Sequence, residues 1–267
     1  MSKRTIALIA AAVVVVVLVV IFALPSTPLG WSIGPWVIGS GAVIADEHLL
    51  EGFDQVEVSN AIEVEITQSE DYSITITGYQ NLLERVEVEL SEHELTIRLK
   101  PGTYFRNNVK AVITMPDLNG LVASGATTVT ATGFASASDF DLKVSGASRV
   151  DIDIEAGNTT ADISGASRVM GELKAEDIIL IVSGASRCEL TGSAADMDLD
   201  VSGASRVTLQ ELQVQNADVT ISGASRGTIN VMGILNVEIS GASSLQYTGD
   251  ADLGRVDISG ASTISRL

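Results

Sequence analysis

Apolar and polar side chains alternate along residues 46–116. Val56-Glu57-Val58, Ile62-Glu63-Val64-Glu65-Ile66, Ile74-Thr75-Ile76-Thr77, Val86-Glu87-Val88-Glu89-Leu90 and Leu95-Thr96-Ile97-Arg98-Leu99 each keep a period of two. That period predicts β-strands with one buried and one wet face. Turn-forming clusters separate them at Ser69-Glu70-Asp71, Ser91-Glu92-His93-Glu94 and Pro101-Gly102. No segment of this region sustains a helical period.

From residue 118 onward the alternation becomes a repeat. The tetrapeptide Ser145-Gly146-Ala147-Ser148 recurs with leading serines Ser164, Ser183, Ser202, Ser222, Ser240 and Ser259. The variant Ser124-Gly125-Ala126-Thr127 precedes them, and successive leading serines are 21, 19, 19, 19, 20, 18 and 19 residues apart. An apolar residue stands before the leading serine in Val144, Ile163, Val182, Val201, Ile221, Ile239 and Ile258. Another follows the motif in Val150, Val169, Val207, Leu245 and Ile264. A period near 20 residues with strands in each unit predicts a solenoid. The leucine-rich pattern is absent, and each unit is too short for two helices. The expected fold is therefore all-β, a parallel β-helix with coils of about 19 residues. Stacked coils lie about 4.8 Å apart, so the motif copies imply a rod of roughly 35–40 Å. Ser59-Asn60-Ala61 echoes the motif. The first coil is thus expected to start near Val56, with hairpin insertions before the regular repeat.

The start of the chain has a different pattern. Residues 6–24 are an uninterrupted apolar run behind Lys3 and Arg4, and Pro25 ends it. At 1.5 Å per residue, such a run nearly spans a hydrocarbon core of about 30 Å. Its length and the poor cleavage site favour an uncleaved membrane anchor over a cleaved signal peptide. The basic residues place the N-terminus in the cytoplasm and the rest of the chain outside. Four segments result: an anchor over 1–24, a Pro/Gly/Trp linker over 25–45, strand-rich first coils with hairpin insertions over 46–117, and the regular repeat over 118–267. In the linker, Trp31 and Trp36 suit either the lipid interface or packing against the first coil.

Composition narrows the picture. Hydrophobic residues make up 46 % of the chain but aromatics only 4 %, so the core consists of small branched side chains. The net charge of -18 argues against a nucleic-acid partner. Cys188 is the single cysteine, which excludes an intramolecular disulfide. Its place in the repeat is that of a small core residue. His48 and His93 have no Cys or His neighbours in the sequence, so no zinc site is expected. No cofactor is expected either.

Within the repeat, Gly125, Gly146, Gly165, Gly184, Gly203, Gly223, Gly241 and Gly260 form one column. Either a corner with positive φ or a close backbone approach accounts for them. Arg149, Arg168, Arg187, Arg206 and Arg226 follow the motif and are expected to point outward. A solvated, salt-bridged row is one reading, with Asp162, Asp200, Glu238 and Asp257 as its counter-ions. A linear site for an anionic polymer such as an acidic glycan is the other. The alternating carboxylates Asp151, Asp153 and Glu155, and Asp196, Asp198 and Asp200, form a wet face or offer oxygens to calcium. Neither run matches an EF-hand loop. No Gly-x-Ser-x-Gly elbow is present and no histidine lies in the repeats, which argues against catalysis. The irregular residues that break the repeat are Tyr72, Tyr79, Tyr104, Phe105 and Arg106.

The block Phe53-Asp54-Gln55-Val56-Glu57-Val58-Ser59-Asn60-Ala61-Ile62-Glu63-Val64-Glu65-Ile66-Thr67-Gln68, followed by Leu95-Thr96-Ile97 and the repeats, resembles the DUF2807 domain. That family is described as an autotransporter adhesin head, the head GIN domain. The resemblance covers residues 46–267 and implies a right-handed β-helix outside the cell with an adhesive role. It assigns no residue-level site. Barrel strands and a heptad stalk do not follow the repeats, so export is expected through the N-terminal segment. Five residues follow the last motif, too few to cap a solenoid. A homo-oligomer through this C-terminal coil is therefore expected. The expected function is a membrane-anchored, extracytoplasmic surface binding protein for cell-envelope polysaccharide or protein. The alternatives are a scaffold without a ligand and, less favoured, a polysaccharide-active enzyme.

Overall fold

The computed structural model describes residues 35–267. The apolar run at residues 6–24 lies outside them. Among the described residues, no helix is long and apolar enough to cross a membrane. The chain from residue 36 onward forms one compact unit.

Nine strands build its beginning: β1 (Trp36–Ile38), β2 (Val43–His48), β3 (Gln55–Ser59), β4 (Glu63–Gln68), β5 (Ser73–Tyr79), β6 (Val86–Ser91), β7 (Glu94–Leu99), β8 (Thr103–Phe105) and β9 (Lys110–Met115). The repeat supplies β10 (Gly120–Ala123), β11 (Thr128–Ala135), β12 (Phe140–Val144), β13 (Arg149–Glu155), β14 (Thr159–Ile163), β15 (Arg168–Lys174) and β16 (Asp177–Val182). It continues through β17 (Arg187–Val201), β18 (Arg206–Ile221), β19 (Arg226–Val231), β20 (Ile234–Ile239), β21 (Ser244–Thr248), β22 (Asp252–Ile258) and β23 (Thr263–Arg266). The protein is all-β, a solenoid of about eight turns.

Each turn contributes one strand to each of two parallel ladders, joined by the Ser-Gly-Ala-Ser corner. Before the corner run β3, β10, β12, β14, β16, the second half of β17, the second half of β18, β20 and β22. After it run β4, β11, β13, β15, the first half of β17, the first half of β18, β19, β21 and β23. The drift in motif spacing is taken up at register shifts. One lies between Thr132 and Phe134, in the turn where the spacing falls from 21 towards 19. Another lies between Glu189 and Thr191, against the one turn of 20 residues.

Alternation explains the core. In β13, Val150, Ile152 and Ile154 are buried and the four residues between and around them are exposed. The residue before each motif is buried in every turn from Val144 to Ile239. Each such Val, Ile or Leu contributes about 1.5–3 kcal/mol by leaving water. The last turn differs. Leu253, Val256 and Ile258 pair in register with buried Leu235, Val237 and Ile239, yet are themselves exposed.

At the other end the ladders stop being parallel. β9 continues the ladder of β4, then β5 and β2 add to it in antiparallel fashion. β7 continues the ladder of β3, and β6 closes it as a hairpin. These are the insertions that the turn-forming clusters separate. Two strands begin within residues 25–45, read from the sequence as linker, and β2 runs on to His48. β2 forms the antiparallel edge on β5, and β1 pairs in parallel with β8 as a separate two-stranded ribbon. Their partners are distant in sequence, so no local pattern marks them.

Candidate functional site

The site is built on the corner. Gly165 has φ +76°, the left-handed region that a side chain resists. A Cβ there would lie 2.5 Å from the carbonyl oxygen of Gly146 in the turn below. Both proposed reasons for the glycine column therefore hold at once. Asn60 (φ 69°) occupies the same place in the first turn, where Ala61 N–H donates to Gly125 O at 3.0 Å. Asparagine tolerates this conformation better than most residues. The corner's backbone groups bond to the neighbouring turn: Ala166 N–H to Gly146 O at 2.8 Å and Arg168 N–H to Ser148 O at 2.9 Å.

The second serine of the motif points inward. Ser148, Ser167, Ser186, Ser205, Ser225 and Ser243 are all buried, with Thr127 in the first copy. Ser148 Oγ donates to Ser145 O at 2.8 Å, closing the bend on itself. The residue after this serine must then point outward, and that residue is the arginine. Arg149, Arg168, Arg187, Arg206 and Arg226 stand directly opposite one another across five strands. At the strand separation of about 4.8 Å they form a row about 19 Å long.

Arg168, Arg187, Arg206 and Arg226 line a groove of about 380 Å³. Its other side is the alanine column Ala166, Ala185, Ala204, Ala224 and Ala242, with the serines between. Arg149 is in register with the row but does not line the groove. The alanines are visible in the sequence as the third motif residue. Their outward orientation is set by the corner conformation, which the sequence alone does not show.

The expected counter-ions do not reach the row. Among the described residues, Asp162, Asp200, Glu238 and Asp257 make no ion pair with it. Glu238 and Asp257 instead hold Arg255, at 3.0 and 3.1 Å. The reason is the corner: these acids precede it and lie on the other ladder. The acid that does reach is Glu189, two residues after Arg187 on the same strand, at 3.2 Å from Arg168 and 3.9 Å from Arg187. Among the described residues, Arg149, Arg206 and Arg226 have no carboxylate within 4.0 Å. Arg226 Nε donates to Ser244 Oγ at 3.3 Å, and Arg168 Nε is buried without a partner.

The carboxylate runs are separated by the two ladders. Asp151 and Asp153 lie on β13, while Asp196, Asp198 and Asp200 lie on the second half of β17. Asp196 Oδ1 accepts from Asn216 Nδ2 at 2.8 Å. Among the described residues, no three His, Cys, Asp or Glu side chains are grouped to hold a metal ion.

Cys188 stands between Val169 and Val207 and is buried. Burial, reinforced by Glu189, pushes its thiol up to about 12. The unfolded thiol ionises near 8.5. The unfolded state therefore holds fewer protons above that pH, and stability falls as pH rises towards 12. The fall approaches about 1.4 kcal/mol per pH unit. Cys188→Val is expected to remove this component. Urea unfolding of both proteins between about pH 8 and pH 10.5 checks it, and identical pH dependence would refute it.

The irregular residues gather at the other end. Tyr72 packs on Phe53, with ring centroids 4.8 Å apart, and rests half-buried against the core. Arg106 lies over Tyr79 at 5.5 Å and donates to its hydroxyl at 3.1 Å. Arg85 lies over Tyr104 at 5.8 Å and donates to its hydroxyl at 3.0 Å. Phe105 faces Trp36, with centroids 6.0 Å apart. Packing against the first coil does not describe Trp36, which is 76 % exposed.

The fold has solved counterparts. A "putative adhesin" from Parabacteroides distasonis aligns with TM-score 0.78 and 18 % identity, covering 87 % of this chain and 100 % of that one. A "putative lipid binding protein" from the same species gives 0.80 and 16 %, over 87 % and 99 %. A "putative adhesin" from Parabacteroides merdae gives 0.79 and 19 %, over 87 % and 99 %. At these identities the likeness establishes the solenoid and its N-terminal strands. Among curated proteins no match was found. The model of one family matches residues 52–251, the first turn through the last but one, and the chain belongs to that family, DUF2807, "Putative auto-transporter adhesin, head GIN domain".

Proposed function

We propose that the protein is an adhesin-like binding protein, held outside the cell by an N-terminal membrane anchor, whose arginine row binds an acidic polymer of the cell envelope. The family and the names of two structural neighbours support the adhesive and extracytoplasmic parts. The charged start and the apolar run at residues 6–24 support the anchor, and the family implies a right-handed coil beyond it. The arginine row carries the choice of ligand. In a chain of net charge -18, five arginines stand in register, four of them line an open groove, and Glu189 is the acid that reaches two of the five, Arg168 and Arg187. Stacked like charges cost free energy unless anions lie between them. A linear polyuronate supplies them, because each pyranose ring carries one carboxylate. Guanidinium forks bind such carboxylates with two parallel hydrogen bonds. Without aromatic side chains in the groove, charge rather than ring stacking selects the sugar.

The test is binding of the full chain, in detergent micelles, to a polyuronate and to neutral dextran. The expected result is salt-sensitive binding to the polyuronate alone. Arg168→Ala, Arg187→Ala and Arg206→Ala together should weaken it at least about tenfold, since charged hydrogen bonds are worth about 1.5–3 kcal/mol each. Undiminished binding by the triple variant would remove the row from the site. Absence of binding by the unaltered chain would leave a scaffold role in front.

A further inference from the structure

The ribbon of β1 and β8 has a face that the fold does not use. Its inner residues, Val37 and Tyr104, pack against the core. Its outer residues, Trp36, Ile38 and Phe105, are 76, 59 and 46 % exposed. On β2, exposed Val43 stands opposite Tyr79. Elsewhere on the rod, outward apolar residues occur at Ile179 and Ile181 and in the last turn, at Leu253, Val256 and Ile258.

Charge distinguishes this end as well. Arg85 lies on Tyr104 and Arg106 on Tyr79, at the margins of the ribbon. Lys100 is joined to the same corner, because its carbonyl accepts from Tyr104 and its N–H donates to Arg85 O at 2.9 Å. Among the described residues, none of these three cations makes an ion pair, although acids outnumber bases about two to one along the chain. Glu84 adjoins Arg85 in sequence without pairing to it. Exposed Trp and Phe beside free Lys and Arg match the region where headgroups meet acyl chains.

Chain length limits what the ribbon can meet. Trp36 is separated from the apolar run ending at Leu24 by residues 25–35. Fully extended, these eleven residues reach at most about 40 Å, and the prolines and glycines among them shorten that reach.

We propose that the outer face of the β1–β8 ribbon, with Arg85, Lys100 and Arg106, seats on the surface of a bilayer containing anionic phospholipids. This rests on the anchoring reading given above. The seat fixes one end of the rod at the lipid and leaves the arginine groove, which begins several turns away, free of it. Apolar contact supplies adhesion to the interface, and the three cations select anionic headgroups against the repulsion of the acidic body.

The experiment uses the full chain carrying Trp31→Phe, so that Trp36 is the sole tryptophan. It is reconstituted into phosphatidylcholine vesicles with and without phosphatidylglycerol, each with a lipid brominated near the headgroup. Flotation reports anchoring, and Trp36 emission reports seating. The expected result is a blue-shifted Trp36, quenched by the brominated lipid and shielded from aqueous iodide, with stronger quenching when phosphatidylglycerol is present. Ile38→Asp, at an exposed position, should abolish the quenching while the chain still floats. A floating chain whose Trp36 is open to iodide and untouched by bromine overturns the seat alone. Shielding from iodide without quenching by bromine assigns the ribbon to a protein contact and overturns it too. Equal quenching in both lipids overturns the anionic preference. A chain that does not float overturns anchor and seat together.

Discussion

Gly165→Ala is expected to cost about 2–5 kcal/mol of stability, whereas Gly133→Ala costs about 1–2. Both glycines have positive φ, +76° and +79°. Placing alanine in that conformation costs about 1–2 kcal/mol at either site. The difference lies in the space around them. A Cβ at Gly133 meets nothing within 4 Å, while one at Gly165 presses on the Gly146 carbonyl. That carbonyl accepts the hydrogen bond of Ala166, so the turns must move apart to admit the methyl group. Forced overpacking adds about 1–3 kcal/mol. Separation of the turns also takes Arg168 out of line with Arg149 and Arg187, so polyuronate binding should weaken together with stability. Urea midpoints of the two variants decide the matter. Equal costs would mean that only the backbone conformation counts and that the turns are not in contact at the corner.

Leu199→Ala is expected to cost about 2–5 kcal/mol, the range for removing a fully buried leucine without refilling the space. Leu199 is fully buried and stands between Leu180 and Val219 in the ladder before the corner. Ile179→Ala, at an exposed position one strand away, should change stability by no more than about 0.5 kcal/mol. In a solenoid each turn is held by its neighbours, so damage in the middle lowers the cost of opening everything beyond it. Hydrogen exchange should therefore show amides of β18 to β21 losing protection together in Leu199→Ala, with β3 and β4 much less affected. Uniform loss along the rod would instead make the body one cooperative unit.

The repeat was legible because it is covalent arithmetic. A residue that recurs every turn occupies one column, so the glycine and arginine rows follow from spacing alone, and the Asn60 place follows from Ser59-Asn60-Ala61. The strands β3 to β7 followed from period two. What the sequence hid depends on contacts between unlike segments. The pairing of Trp36 with Thr103 joins short strands far apart in the chain, with no repeat to align them. Acids recur two residues before the motif, at Asp162, Asp200, Glu238 and Asp257, but the corner keeps them from the row. Within the turns of the arginine row, the column of Glu189 also holds Asp151, Met170, Thr208 and Thr228, so no pattern announces it. The side of the corner on which an acid lies matters more than its distance along the chain.

The stacked corners also make length a counted quantity. A duplication of nineteen residues, such as 164–182, inserts a complete turn with every inward and outward position in phase. A single extra residue within a strand reverses the faces beyond it unless a bulge absorbs it, as happens beside Glu189. The rod can therefore grow or shrink only in whole steps of about 4.8 Å. Each step that keeps an arginine after the second serine adds one charge to the row. Such a molecule behaves as a ruler, in which reach and ligand valence are written by the same repeat and change together.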